Sequence, residues 1–229
     1  GVLPRQRPAR LDRDGGGLFR IPADGGGAPE RLTPPDGRLL TPYAFTPDGR
    51  TLLFTEFRSY RDQGIGALSL DGTLETRAVL DEPFAELRPA LSPDGRWLAY
   101  QADASGRFEV FVCSYPDVRT HRWQVSSQGG TSPQWSADGR ELFFHDGQAM
   151  AVVRVDPGAR PVRGAPQRLF DARPFAGRLG PVYSVSPDGQ RFLLIREEPE
   201  RDSAAARRSL LVVQHWTSEL ATALAAAVR

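Results

Sequence analysis

The residues of this chain that could do chemistry are few and widely spaced. Its three histidines, His121, His145 and His215, lie 24 and 70 residues apart, and no pair has a local ligand spacing such as H-x-x-x-H. Histidines so placed read as structural, and the metal-ligand set is read as none. Cys113 is the single cysteine, so an internal disulfide is impossible, and its setting in Phe111-Val112-Cys113 suggests a small buried apolar residue. Ser127 and Ser132 fall in S-S-Q-G-G-T-S-P, which lacks the G-x-S-x-G elbow of a serine nucleophile and reads as a loop between repeats. All 29 basic residues are arginine. Without lysine there can be no Schiff base and no phosphate-binding lysine. Catalytic residues and cofactor-binding residues are both read as none.

The aspartates are the one recurrent set. Four near-copies of a pentapeptide, T-P-D-G-R at 46–50, S-P-D-G-R at 92–96, S-A-D-G-R at 136–140 and S-P-D-G-Q at 186–190, place Asp48, Asp94, Asp138 and Asp188 at separations of 46, 44 and 50 residues. A calcium loop needs several oxygen ligands close together, as in D-x-D-x-D-G. Asp12-Arg13-Asp14-Gly15 is the nearest approach and has no downstream glutamate. A turn explains the aspartates better. Pro47, Pro93 and Pro187 are preset for the second position of a type I turn, and Asp48, Asp94, Asp138 and Asp188 suit the third. Gly49, Gly95, Gly139 and Gly189 then take the left-handed position that follows, and the leading Ser or Thr hydroxyl bonds back to the turn.

The elements that carry these turns are strands. Short apolar runs flank each copy: Tyr43-Ala44-Phe45 and Thr51 to Phe54, Pro89-Ala90-Leu91 and Trp97 to Tyr100, Gln134-Trp135 and Glu141 to Phe144, Val182 to Val185 and Arg191 to Ile195. Their aromatics, Phe45, Phe54, Trp97, Tyr100, Trp135, Phe143, Phe144, Tyr183 and Phe192, read as core. Arg50, Arg96 and Arg140 read as solvated hairpin ends. Between pentapeptides the chain offers two further strands: Ala67 to Leu70 and Glu75 to Leu80 after a break at 61–64, Phe108 to Ser114 and His121 to Val125, Met150 to Val155 and Gln167 to Phe170. A period of 44 to 50 residues suits a four-stranded propeller blade.

At the ends, Leu18 to Pro22 and Glu30 to Leu32 resemble the third and fourth strands of a blade, and Leu210 to His215 adds a third strand to the last unit. The expected fold is therefore all-β: a β-propeller of four-stranded antiparallel blades, about four of them present and the ring incomplete upstream, with open strand edges liable to pair. The expected organisation is 1–14 as linker or truncated blade end, 15–216 as propeller and 217–229 as a short C-terminal helix capped by Thr217 or Ser218. The charged run from Glu197 to Arg208 reads as a solvated loop.

Composition sets limits on function. A net charge of +1 argues against a nucleic-acid surface, and no stretch approaches the roughly 20 apolar residues of a membrane span. The partner is expected to be a protein or a small ligand, with no membrane insertion within this chain.

The S-P-D-G-R turn after an apolar strand, followed by W-L-A-Y at 97–100 or L-L-F-T at 52–55, resembles the WD-repeat-like blades of the TolB-type propeller family over about residues 15 to 215. The ending L-L-V-V-Q-H-W-T-S-E-L at 210–220 resembles the close of propellers fused to bacterial receptor kinases or winged-helix regulators, with His215 where asparagine is usual. The resemblance implies a non-catalytic sensing or protein-contact module at a periplasmic or otherwise extracytoplasmic location. Prolyl-oligopeptidase-type enzymes carry a similar propeller beside their hydrolase domain. An accessory propeller of such a peptidase is the alternative.

Overall fold

The computed structural model describes residues 16–24, 26–59, 62–156, 162–172, 183–196 and 209–214. They contain 17 strands and no helix. The expected helix at 217–229, the linker at 1–14, the loop at 197–208 and His215 lie outside the described residues.

Strands β1 (Phe19–Arg20) and β2 (Glu30–Arg31) form a two-stranded pair. Sheet β3-β4-β5-β6 follows (Leu39–Phe45, Thr51–Ser59, Asp62–Ser69, Thr76–Leu80). Next come β7-β8-β9-β10 (Glu86–Leu91, Trp97–Ala102, Glu109–Ser114, Arg122–Gln124) and β11-β12-β13-β14 (Thr131–Trp135, Glu141–His145, Ala149–Val155, Val162–Asp171). The last sheet is three-stranded, β15-β16-β17 (Tyr183–Val185, Arg191–Arg196, Ser209–Gln214). Among the described residues the strands pair antiparallel with their sequence neighbours, the up-and-down meander of a propeller blade.

The chain divides into two compact units at Pro89/Ala90. In the first, Leu18, Leu32, Leu40, Leu52, Phe54 and Leu68 form one buried cluster. In the second, alternation sorts each strand between two clusters. Leu142 and Phe144 of β12 pack with Trp97, Ala99, Val110 and Val112, whereas Phe143, on the opposite face, packs with Met150, Tyr183, Phe192 and Leu194. Burying each such large side chain contributes roughly 1.5–3 kcal/mol. Cys113 is fully buried.

Several expectations need correction. Of the break expected at 61–64, residues 62–64 are strand: β5 begins at Asp62, because Gly64 and Gly66 leave room for neighbouring side chains. A Cβ at Gly66 would lie 2.3 Å from the Phe54 ring, which occupies that space. Likewise β14 begins at Val162 and not at Gln167. It is the outer strand of its sheet, where Gly164 and Pro166 are tolerated beside register shifts. Ser132 is in β11 and not in a loop. Phe45, expected in the core, is 43% exposed.

Candidate functional site

The four pentapeptides fold alike. The amides of Gly49, Gly95, Gly139 and Gly189 donate to the carbonyls of Thr46, Ser92, Ser136 and Ser186 at 2.8–3.0 Å, and the glycines have φ of 69–73°. The leading hydroxyl donates to the aspartate two residues on, at 2.6 Å for Thr46 to Asp48 and Ser92 to Asp94, 2.7 Å for Ser136 to Asp138, and again for Ser186 to Asp188. The same hydroxyl accepts the amide five residues on, from Thr51 at 3.0 Å and from Trp97, Glu141 and Arg191 at 2.9 Å. The aspartate also accepts the amide of the residue after glycine at 3.0–3.1 Å. Sequence reasoning foresaw the backbone bond of the hydroxyl. The donation of its proton to the aspartate was missed, although both residue types recur at fixed spacing.

These bonds favour the ionised carboxylate. The Thr46 hydroxyl and Arg50 amide hold Asp48 below the usual carboxylate range, as Ser136 and Arg140 do Asp138, and Ser186 and Gln190 do Asp188. At Asp94 partial burial works the other way, but Ser92, the Arg96 amide and the Arg96 guanidinium outweigh it. Asp71, bonded by Ser69 and Thr73, is lowered to about 2.

The other candidate residues are dispersed. His121 stacks on Trp123 at 5.3 Å with planes 4° apart, and Trp123 meets Trp97 edge-on at 5.4 Å. His145 Nδ1 accepts the Gly147 amide at 3.1 Å, so Nε2 carries the proton shared with the Ala172 carbonyl at 3.2 Å. Among the described residues no group of three or more His, Cys, Asp or Glu could hold a metal ion. Among them, too, no helix is long and apolar enough to cross a membrane.

A second recurrence escaped the sequence because it joins residues more than 30 apart. Arg88 and Ser132, each four residues before a pentapeptide, have φ of 55° and 56°. The Arg88 amide donates to Thr55 Oγ1 at 3.2 Å, and the Ser132 amide to Gln101 Oε1 at 2.9 Å. Thr55 and Gln101 each stand nine residues after the first residue of their own pentapeptide. One side chain thus clasps the strained first strand of the next sheet. Burial pushes the Tyr43 phenol up, against the opposing pull of Arg88 and Thr55.

The opposite ends of the sheets differ from one another. In β3–β6 a cleft of about 150 Å³ is lined by Arg38, Glu56, Arg58, Arg77 and Asp81, with Phe54, Gly64 and Gly66 also lining it. Arg58 meets Asp62 at 2.8 Å, Asp81 at 2.5 Å and Glu56 at 3.4 Å, while Arg38 meets Glu56 at 3.6 Å and Asp36 at 2.7 Å. Partial burial of Arg58 is outweighed by Asp62 and Asp81, which hold its guanidinium more firmly protonated. A Cβ on Gly64 would sit 3.3 Å from both Arg58 and Asp81, so glycine gives this network room. In β7–β10 the corresponding end is a buried carboxylate. Glu109 accepts Arg107 Nε at 2.7 Å, Ser126 Oγ at 2.5 Å and the Gly129 amide at 3.0 and 3.1 Å. In β11–β14, Asp146 accepts the amides of Gln148 and Ala149 and Arg168 Nε.

No family model matches the sequence. The uncharacterized protein Atu1656 of Agrobacterium fabrum is 28% identical over 196 residues, 80% of this chain and 62% of that protein. The chain therefore spans less than two thirds of this curated relative's length. Among solved structures, TolB of Acinetobacter baumannii matches over 86% of this chain and 46% of its own at a TM-score of 0.60 and 21% identity. A protein assigned as a TolB from Agrobacterium tumefaciens matches over 92% and 77% at 0.68 and 18%. A puromycin-hydrolyzing peptidase of Mycobacterium tuberculosis matches over 83% and 35% at 0.61 and 22%. At these identities the likeness establishes fold alone. That fold is a β-propeller, similar to those of the TolB structures.

Proposed function

We propose that this chain is a non-catalytic β-propeller module, spanning about residues 15–216, that binds a protein partner or small ligand as the sensing or interaction part of a bacterial envelope or signalling protein outside the cytoplasm. The observation that carries this reading is the internal satisfaction of the recurrent polar groups. All four Ser/Thr–Asp pairs bond within their own turns, which supports reading Pro47, Asp48, Gly49 and their equivalents as scaffold. Specific contact then falls to the end of the sheets where residues differ. Arginine and carboxylate alternate around the cleft of β3–β6, which suits a polar protein surface better than an apolar ligand.

The likeness to a puromycin-hydrolyzing peptidase supports a second reading, an accessory propeller whose hydrolase partner domain lies outside these 229 residues. The intact gene product, assayed with fluorogenic aminoacyl and prolyl substrates and crosslinked in cells through a photoreactive residue at position 77, separates the two. The module reading expects no turnover and a discrete crosslinked protein, weakened by Arg58→Glu. Turnover abolished by a serine-directed covalent inhibitor would replace it with the peptidase reading.

A further inference from the structure

Seven of the nine Asp-Gly pairs lie wholly within the described residues. This dipeptide can react with itself, the glycine amide nitrogen attacking the aspartate Cγ to close a five-membered succinimide. The reaction needs a free amide and a neutral carboxyl, because an ionised carboxylate is a poor electrophile. The pentapeptide withholds both. Its glycine amide is bonded to the leading Ser or Thr carbonyl, while the leading hydroxyl and the amide after glycine hold the carboxylate ionised. At Asp146 the Gly147 amide is bonded to His145 Nδ1.

Residues 34–38 are a fifth version of the motif, P-P-D-G-R, with Pro34 where the others have serine or threonine. No leading hydroxyl is there to hold the carboxylate. Asp36 accepts the Arg38 amide at 3.2 Å and Arg38 Nε at 2.7 Å, and the first of these bonds folds its carboxyl back over the peptide it would attack. Among the described residues the amides of Gly37 and Gly72 donate to no acceptor. At Gly72 the preceding carboxylate is still protected: Ser69 and the amide and hydroxyl of Thr73 lower Asp71 to about 2. Asp36 and Gly37 are both exposed, and nothing lies within 4 Å of an added Cβ at Gly37, so the surrounding space is open.

We infer that Asp36–Gly37 is a site of spontaneous modification, where the aspartate rearranges to isoaspartate. The Gly37 nitrogen forms a bond to Asp36 Cγ, and its proton leaves with the carboxyl hydroxyl as water. Water then adds at the Asp36 backbone carbonyl and breaks its bond to nitrogen, so the chain runs through Cβ and Cγ and a free α-carboxylate remains. Mass is unchanged, and the backbone gains one atom. That atom enters two residues before Arg38, whose guanidinium meets Glu56 at 3.6 Å in the cleft of β3–β6, so the rearrangement displaces a wall of that cleft.

Peptide mapping of the 229-residue chain after about two weeks at 37 °C in mild acid provides the test, run in parallel on native protein and in concentrated urea. Isoaspartate is located by methyl transfer from S-adenosylmethionine, catalysed by an isoaspartyl methyltransferase. In the native protein Asp36 should carry about tenfold more isoaspartate than Asp48, Asp94, Asp138 or Asp188. In urea, where the turns are lost, these five should reach similar levels. Native Asp36 no more modified than the pentapeptide aspartates would overturn the inference. So would an Asp36 preference that persists undiminished in urea, since sequence and not the fold would then set it.

Discussion

The two ends of each sheet are built on different terms. At the pentapeptide end, four copies repeat the same hydroxyl, carboxylate and amide bonds within six residues of chain. At the far end, β3–β6 has an arginine–carboxylate network, β7–β10 a buried glutamate, and β11–β14 an aspartate turn beside His145. Repetition marks what every blade needs in order to turn. Divergence marks where one blade can differ from the next without losing the fold, and binding proteins commonly place specificity on such variable connections.

The largest expected effect is at a far end. Glu109→Ala removes the acceptor of four bonds in a buried setting and leaves the Ser126 hydroxyl proton and the Gly129 amide without their acceptor, while Ser126 Oγ still accepts the Val110 amide. It should cost about 3 kcal/mol, read as a lowered urea midpoint, since each orphaned buried group costs about 1–3 kcal/mol. A loss no greater than that of an exposed substitution would mean that the far end is loosely held.

Next comes the pentapeptide backbone. Gly49 has φ 70° and no atom within 4 Å of an added Cβ, so Gly49→Val tests conformation without steric clash. It should cost about 1–2 kcal/mol, whereas Arg50→Ala should be nearly neutral. Equal melting temperatures for the two variants would contradict the left-handed turn.

Acid provides a third comparison. Because the turn aspartates titrate below their usual range when folded, the stability they add is complete above the unfolded carboxylate value of about 4. It is lost as pH falls toward the lower folded values, about 2 for Asp71. Melting temperature should therefore drop between about pH 4 and pH 2. Ser136→Ala, which releases Asp138, should make that drop shallower; a wild-type melting temperature flat over this interval would contradict the hydroxyl–carboxylate pairs.

The smallest effect belongs to the cleft. Asp81 is half exposed, so Asp81→Asn should cost under about 1 kcal/mol and less in high salt. A large, salt-independent loss would make the network part of the scaffold and blur the contrast between the ends.

This contrast also explains what could be read from sequence. The strand groups of two, four, four, four and three were legible because the turn recurs at nearly constant spacing and each strand alternates. The start of β5 was not, since Gly64 and Gly66 look like a break until Phe54 and Arg58 are seen beside them. The start of β14 was hidden by Gly164 and Pro166, which an outer strand can hold. The clasps of Thr55 on Arg88 and Gln101 on Ser132 leave no local trace, and neither does the convergence of Glu56 and Arg58 of β4 with Arg38, just before β3, and Asp81, just after β6.

The central claim, that the repeated hydroxyl–aspartate turn serves the scaffold, is most directly tested by native-state amide exchange at Thr51, Trp97, Glu141 and Arg191. The account predicts slow exchange at all four in the wild type, with Ser136→Ala exposing Glu141 while the other three stay protected. Free-chain exchange at these amides in the wild type, or unchanged protection at Glu141 in the variant, would contradict it.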